Sequence, residues 1–165
     1  MRGRPRPAGG AGPAALVVGG GGTAMAAAYA MQQMGCRLAV YNRTPEKAEA
    51  IAGKFGGRAL AGLGPGDLEE VFGPAGVDVI VSTIPAAAEF TLPDFFFASK
   101  PAVLDAAYKP PKTALLAQAM DAGCPYAQGA EMLIEQGIEQ FQFWTERLAP
   151  AEVLREAVYN KVEKI

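Results

Sequence analysis

The chain has 165 residues, half of them hydrophobic and 19% charged, which suits one globular domain with its own core and leaves no room for two substantial domains. A formal net charge of −2 gives no overall electrostatic case for nucleic-acid binding. Histidine is wholly absent, which removes Ser-His-Asp hydrolysis, Cys-His proteolysis and His-based zinc chemistry from this chain.

Residues 1–13, rich in Arg, Pro, Gly and Ala, read as a disordered leader. They do not read as a targeting signal, because no uninterrupted apolar stretch follows the arginines. Ala14-Ala15-Leu16-Val17-Val18 is uniformly apolar, as a strand buried on both faces must be. Four glycines follow, and residues 23–34, rich in Ala and Met and closed by Gly35, read as a helix. Arg37-Leu38-Ala39-Val40-Tyr41 is a second strand. After it, Thr44 is placed as the N-cap and Pro45 as the first position of a helix running to about Phe55.

Residues 58–61 make a weak third strand, 62–66 a turn, and a short helix starts at Asp67. Residues 77–82 are a clear fourth strand. A helix is expected to include 93–97, with Phe95, Phe96 and Phe97 as core or interface anchors. A fifth strand at 102–105, a helix at 113–122 and a short sixth strand at 125–127 complete the alternation. Helices over 130–147 and 151–164, separated by Pro150, finish the chain. Strands alternating with helices predict an α/β fold, a Rossmann-type doubly wound parallel sheet of order 3-2-1-4-5-6 with C-terminal helices. The corresponding organisation is a nucleotide-binding domain over 14–150 and a terminal helix over 151–165. Cys36 and Cys124 are too few and too isolated for a disulfide framework or a zinc site, so two reduced, buried thiols in a cytoplasmic protein are expected. No apolar run approaches the ~18 residues of a membrane span.

Four glycines alone fit a flexible linker or a phosphate-binding turn. Their flanks favour the turn, since Gly19-x-Gly21-x-x-Ala24 follows a buried strand and opens a helix. Gly19 then makes the tight turn, Gly21 allows a pyrophosphate to approach the backbone, and Ala24 permits close helix-to-strand packing. The helix from Gly22 or Thr23 offers its unpaired N–H groups to the phosphates. About 20 residues on, where an acidic side chain would bond the ribose of NAD, stands Asn42-Arg43-Thr44, with Lys47 one helical turn later. That set suits a 2′-phosphate and favours NADP(H), because guanidinium binds phosphate oxygens bidentately.

The stretches "VVGGGGTAMAAAYA", "VYNRTPEKAEAIAGKFG", "DVIVSTIPA", "VLDAAYKPPKTALL" and "GAEMLIEQGIEQFQFWT" together resemble the C-terminal half of a shikimate dehydrogenase. The wording "AAYKPPKTALL" is most similar to fungal forms, which include the last domain of the pentafunctional aromatic-pathway polypeptide and related quinate-pathway regulators. The resemblance implies an NADP(H)-binding domain, with most of the shikimate held by a separate N-terminal domain. It places Gly19, Gly21, Gly22 and Thr23 on the pyrophosphate, and Asn42, Arg43 and Thr44 on the adenosine 2′-phosphate. It sets Ser82, Thr83 and Ile84 beside the nicotinamide ribose, and Gly129 and Met132 around the nicotinamide. Tyr108 is implied near the substrate and Gln136 on its hydroxyls. Helical spacing puts Met132, Gln136, Gln140 and Trp144 on one face.

Two departures stand out. Met25 occupies a position where family members often carry arginine. The family's catalytic lysine and aspartate belong to the N-terminal domain, and nothing in residues 1–13 resembles them. Asp105 and Lys109, four apart, make a poor substitute acid/base pair, since one ends a strand and the other precedes two prolines. No residue is therefore assigned as catalytic. The expectation is a cofactor-binding domain without its substrate domain, inactive alone in hydride transfer to 3-dehydroshikimate; the alternatives are a non-catalytic regulator that keeps the fold, or another NADP-dependent two-domain reductase. Leu154, Val158, Val162 and Ile165 form an apolar stripe that is expected to be partly bare and to drive self-association.

Overall fold

A run of five apolar residues needs cover on both faces, and it lies at the centre of the sheet. The computed structural model describes residues 12–162. Six strands, β1 (Ala14–Val18), β2 (Arg37–Tyr41), β3 (Arg58–Ala59), β4 (Val79–Ser82), β5 (Ala102–Asp105) and β6 (Tyr126–Gln128), form one sheet in the order β3-β2-β1-β4-β5-β6. Every pairing is parallel, and all five β1 residues are fully buried.

Successive strand residues face opposite sides, so the sheet feeds two cores. Leu16, Val18, Ile80 and Val103 enter one with Leu68, Phe72, Phe96, Leu115 and Leu116. Val17, Val40 and Val81 enter the other with Ala24, Ala28, Ala48 and Ile51. Helices α1 (Gly22–Gln33) and α2 (Pro45–Phe55) supply the second core; α3 (Pro65–Phe72) and α4 (Ala114–Asp121) supply the first. With helices on both faces the sheet is doubly wound, as the sequence predicts.

Some boundaries differ from expectation for local reasons. Residues Asp94–Phe97 form a single 3-10 turn instead of an α-helix, although Phe96 and Phe97 are buried in the core as expected. α3 begins at Pro65, because the Asp67 carboxylate accepts a bond from the Gly64 N–H at 2.8 Å and caps the helix two residues ahead of it. β4 begins at Val79: Asp78 leaves the strand, and its carboxylate accepts from the Ala14 N–H at 2.9 Å. The Pro13 carbonyl accepts from the Arg37 N–H at 2.8 Å, so Pro13 is tied to the sheet; residues 1–11 of the expected leader lie outside the described residues.

The last helices, α5 (Gly129–Thr145) and α6 (Ala151–Val162), pack on one another, with Arg155 and Glu135 paired at 2.5 Å. Along the expected stripe Leu154 and Val158 are half-buried and Val162 is buried, while Ile165 lies outside the described residues. Exposed apolar side chains in this region include Phe143 and Trp144 at the end of α5, Leu148 in the loop after it and Val153 on α6. Of the cysteines, Cys124 is buried and Cys36 only half-buried. Among the described residues no helix is long and apolar enough to cross a membrane, and none of their acidic or thiol groups cluster as a metal site would require.

Candidate functional site

In a sheet of this order the strand order reverses between β1 and β4, and the crevice beyond their C-terminal ends is where ligands bind in open α/β folds. The glycine turn lies there. Gly19 is buried at φ +137°, a conformation that disfavours any side chain, and its N–H donates to the Tyr41 carbonyl at 2.8 Å. A Cβ on Gly19 would stand 2.0 Å from Thr83 Oγ1 and 3.5 Å from Ala24 Cβ. Thr83 in turn donates both its N–H (2.8 Å) and its hydroxyl (3.0 Å) to the Val18 carbonyl.

The inner side of the turn is thus filled, and the outer side is open. At Gly21 and Gly22 an added Cβ would meet nothing within 4 Å, and both residues are exposed. They begin α1, whose first N–H groups have no intrahelical acceptor and whose first turn carries no acidic residue. The arrangement is a backbone cradle of positive potential, suited to phosphate.

The end of β2 and the start of α2 pack against this cradle. A Cβ on Gly20 would lie 2.9 Å from Lys47 Cβ and 3.0 Å from Asn42 Cγ. Asn42 braces its loop by donating its amide to the Thr44 carbonyl at 3.1 Å. Thr44 holds the N-cap position in extended backbone with Pro45 at the first helical position, as expected, and its hydroxyl makes no bond to α2. Arg43, Thr44 and Lys47 are exposed, and among the described residues neither cation is in a salt bridge. Two positive charges therefore face solvent beside the glycine turn.

On the other side of the turn a cleft of about 350 Å³ opens. It brings together Thr83, Ile84, Tyr108, Met132 and Gln136, five of the residues expected at the nicotinamide and substrate, with Thr23, expected on the pyrophosphate, at its edge. Gly129 lies behind this wall at the start of α5: its Cβ would be 2.4 Å from the Ala106 carbonyl oxygen and 2.6 Å from that of Ala107. Only a glycine lets the helix seat directly on that loop. Ser82 does not face the cleft; it is 1% exposed and turned into the protein. Gln140 and Trp144, expected on the face of Met132 and Gln136, are exposed farther along α5.

The sequence reading missed the wall contributed by Pro85, Ala106, Ala107 and Leu133, and the polar network behind it. Asp105 is 3% exposed and accepts from the Thr113 hydroxyl at 2.7 Å and the Ala107 N–H at 3.2 Å. Ser82 also bonds it, and accepts from the Ile84 N–H at 3.4 Å. Burial pushes the Asp105 carboxyl above the ordinary carboxylate range, while the bonds from Thr113, Ala107 and Ser82 oppose that shift. Its partners are structural, so it is not paired with Lys109, whose side chain is exposed. Thr113 caps α4 by accepting from the Leu116 N–H at 3.3 Å, a serine/threonine cap signal that could have been read from the sequence.

Comparison with known proteins agrees with this geometry. Residues 10–92 match the family model described as shikimate / quinate 5-dehydrogenase, and residues 129–159 match that of the shikimate 5'-dehydrogenase C-terminal domain. The chain is 38% identical to the NADP(+) shikimate dehydrogenase of Moorella thermoacetica, over 90% of this chain and 55% of that protein. It is 39% identical to the pentafunctional AROM polypeptide of Yarrowia lipolytica, over 87% of this chain and 10% of that one. Among solved structures, shikimate 5-dehydrogenase from Thermus thermophilus in complex with NADP(H) and shikimate superposes with a TM-score of 0.76 at 30% identity, covering 92% of this chain and 56% of that one. The chain spans about half the length of the shikimate dehydrogenases it matches.

Proposed function

The chain belongs to the shikimate / quinate 5-dehydrogenase family, and we propose that it is an NADP(H)-binding domain that does not complete hydride transfer by itself. The observation that carries this reading is the glycine turn, open at Gly21 and Gly22, flanked by Arg43 and Lys47 and continuous with the cleft at the β1–β4 crevice.

The N–H groups of Gly21, Gly22 and Thr23 donate to the pyrophosphate. Arg43 and Lys47 supply charge to the 2′-phosphate, and Asn42 and Thr44 supply further polar groups; a carboxylate at this place would repel it. Thr83, Ile84, Gly129 and Met132 shape the pocket for the nicotinamide. When bound, NADPH supplies the hydride. Tyr108 and Gln136 present a hydroxyl and an amide to the hydroxyls of a shikimate-type substrate.

Reduction of a ketone also requires a proton at the carbonyl oxygen, delivered by a positioned acid. Apart from the phenol of Tyr108, which this reading commits to the substrate hydroxyls, the residues lining the cleft include no acid, since none carries a carboxyl, ammonium or imidazole group, and Asp105 is turned away from it. The chain therefore holds the donor side of the reaction and leaves the acid to groups outside these elements. A second reading, a non-catalytic regulator that retains the fold, is favoured by Met25: 40% exposed in the first turns of α1, it puts an apolar side chain near the phosphates where the family resemblance implies arginine.

Calorimetric titration, with an assay of shikimate-dependent NADP+ reduction, tests both readings. Micromolar binding of NADPH with a preference over NADH, and no turnover, is the expected result. No binding would support the regulator, and turnover by this chain alone would overturn the claim that it is incomplete.

A further inference from the structure

Building on the cofactor-binding reading, we infer that Asp105 is a positioning residue whose buried carboxylate sets the shape of the nicotinamide end of the cleft without entering it. Three donors converge on it from three places in the fold. Ser82 comes from the end of β4, Ala107 from the loop after β5, and Thr113 from the cap of α4.

Each donor belongs to a segment that builds the cleft. Ser82 accepts from the Ile84 N–H, so the β4 side of the wall is tied to the same carboxylate. The loop between β5 and α4 is held at both ends, by Ala107 at 3.2 Å and Thr113 at 2.7 Å, and Tyr108 sits between these anchors. The Ala106 N–H donates to the Ser82 carbonyl at 2.8 Å, which fastens the two strand ends together.

The third wall follows from the second. At 2.4 Å and 2.6 Å from the place a Gly129 Cβ would occupy, the Ala106 and Ala107 carbonyls leave no side chain between loop and helix. A shift of residues 106–107 is passed directly to the start of α5. It then moves Met132 and Gln136, about one and two turns along that helix.

A carboxylate suits this position because it accepts on all sides. Asparagine has one acceptor oxygen and turns an N–H₂ group toward a donor. With Asp105 replaced by asparagine, at least one of the three segments loses its anchor while apolar packing is retained.

The experiment separates the two ends of the cofactor. Asp105→Asn and Thr113→Val are compared with the parent chain by calorimetry, using NADPH and the adenosine half alone, adenosine 2′,5′-bisphosphate; circular dichroism checks the fold. Asp105→Asn is expected to weaken NADPH about tenfold, the effect of one lost charge-assisted bond, and to leave the adenosine fragment within about twofold. Thr113→Val, which removes the far loop anchor together with the side-chain cap of α4, is expected to shift affinity the same way by about threefold to tenfold, and it carries the test if Asp105→Asn fails to fold. Unchanged NADPH affinity in the folded variants, or equal loss of both ligands, overturns the inference alone. A parent chain that takes up neither ligand overturns the cofactor reading and this inference with it.

Discussion

A Cβ placed on Gly19 would lie 2.0 Å from the hydroxyl oxygen of Thr83, so the end of β1 and the end of β4 meet with no room for a side chain. Thr83 cannot retreat without breaking its bonds to the Val18 carbonyl. The crevice at which the two halves of the sheet diverge is thereby closed on the inside, beneath the glycine cradle and the cleft beside it.

Gly19→Ala is expected to destabilise the fold by about 2–4 kcal/mol, from overpacking together with a φ that alanine disfavours. Urea unfolding measures it. Adding Thr83→Ala should restore the part due to crowding and leave the backbone part, since φ +137° is unchanged. A Gly19→Ala chain as stable as the parent contradicts this packing.

Arg43→Ala is expected to weaken NADPH binding by about tenfold to a hundredfold, as loss of bonds between an ionised donor and a phosphate does, and to leave NADH almost unaffected. Arg43 is exposed and among the described residues is in no salt bridge, so the fold should not change. Equal weakening of both nucleotides would mean that this arginine does not read the 2′-phosphate.

The strands and the glycine turn are legible in the sequence because their signals are local. Ala14–Val18 has no polar residue to turn outward, and Gly19, Gly21 and Ala24 fall at fixed offsets after it. Asn42, Arg43 and Lys47 are legible through their distance from that turn. What could not be read there depends on neighbours remote in sequence. Asp105 looks like a strand end until Thr113 and Ser82 are seen to converge on it, and Ser82 looks like a cleft residue until its burial is known. Likewise the helical period of Leu154 and Val158 does not reveal that α5 is the element lying alongside α6.

Asp105 makes a prediction about pH. Burial raises its carboxyl above the ordinary value of 3.8, so the folded chain holds this proton more tightly than the unfolded chain does. Within the window from 3.8 up to the folded value the native state binds more protons, and stability from this group falls as pH rises. The stability of the parent chain relative to Asp105→Asn is therefore expected to decline from about pH 4 toward neutrality. Urea midpoints at both ends measure it, and a relative stability that climbs with pH contradicts the sign.

Trp144 is the single tryptophan and is 73% exposed. At concentrations where sedimentation shows a monomer, its emission should be that of a solvated indole, strongly quenched by iodide. Emission of a buried indole in the monomer would mean that the end of α5 packs differently.

As proposed, the cradle at Gly21 and Gly22 and the cations at Arg43 and Lys47 form a working NADP(H) site. Parallel calorimetric titrations of the chain with NADPH and NADH test it most directly. Saturable binding of one NADPH per chain, at least about tenfold tighter than NADH as expected when an ionised contact is lost, is the result predicted. No heat of binding, or equal affinity for the two nucleotides, contradicts it.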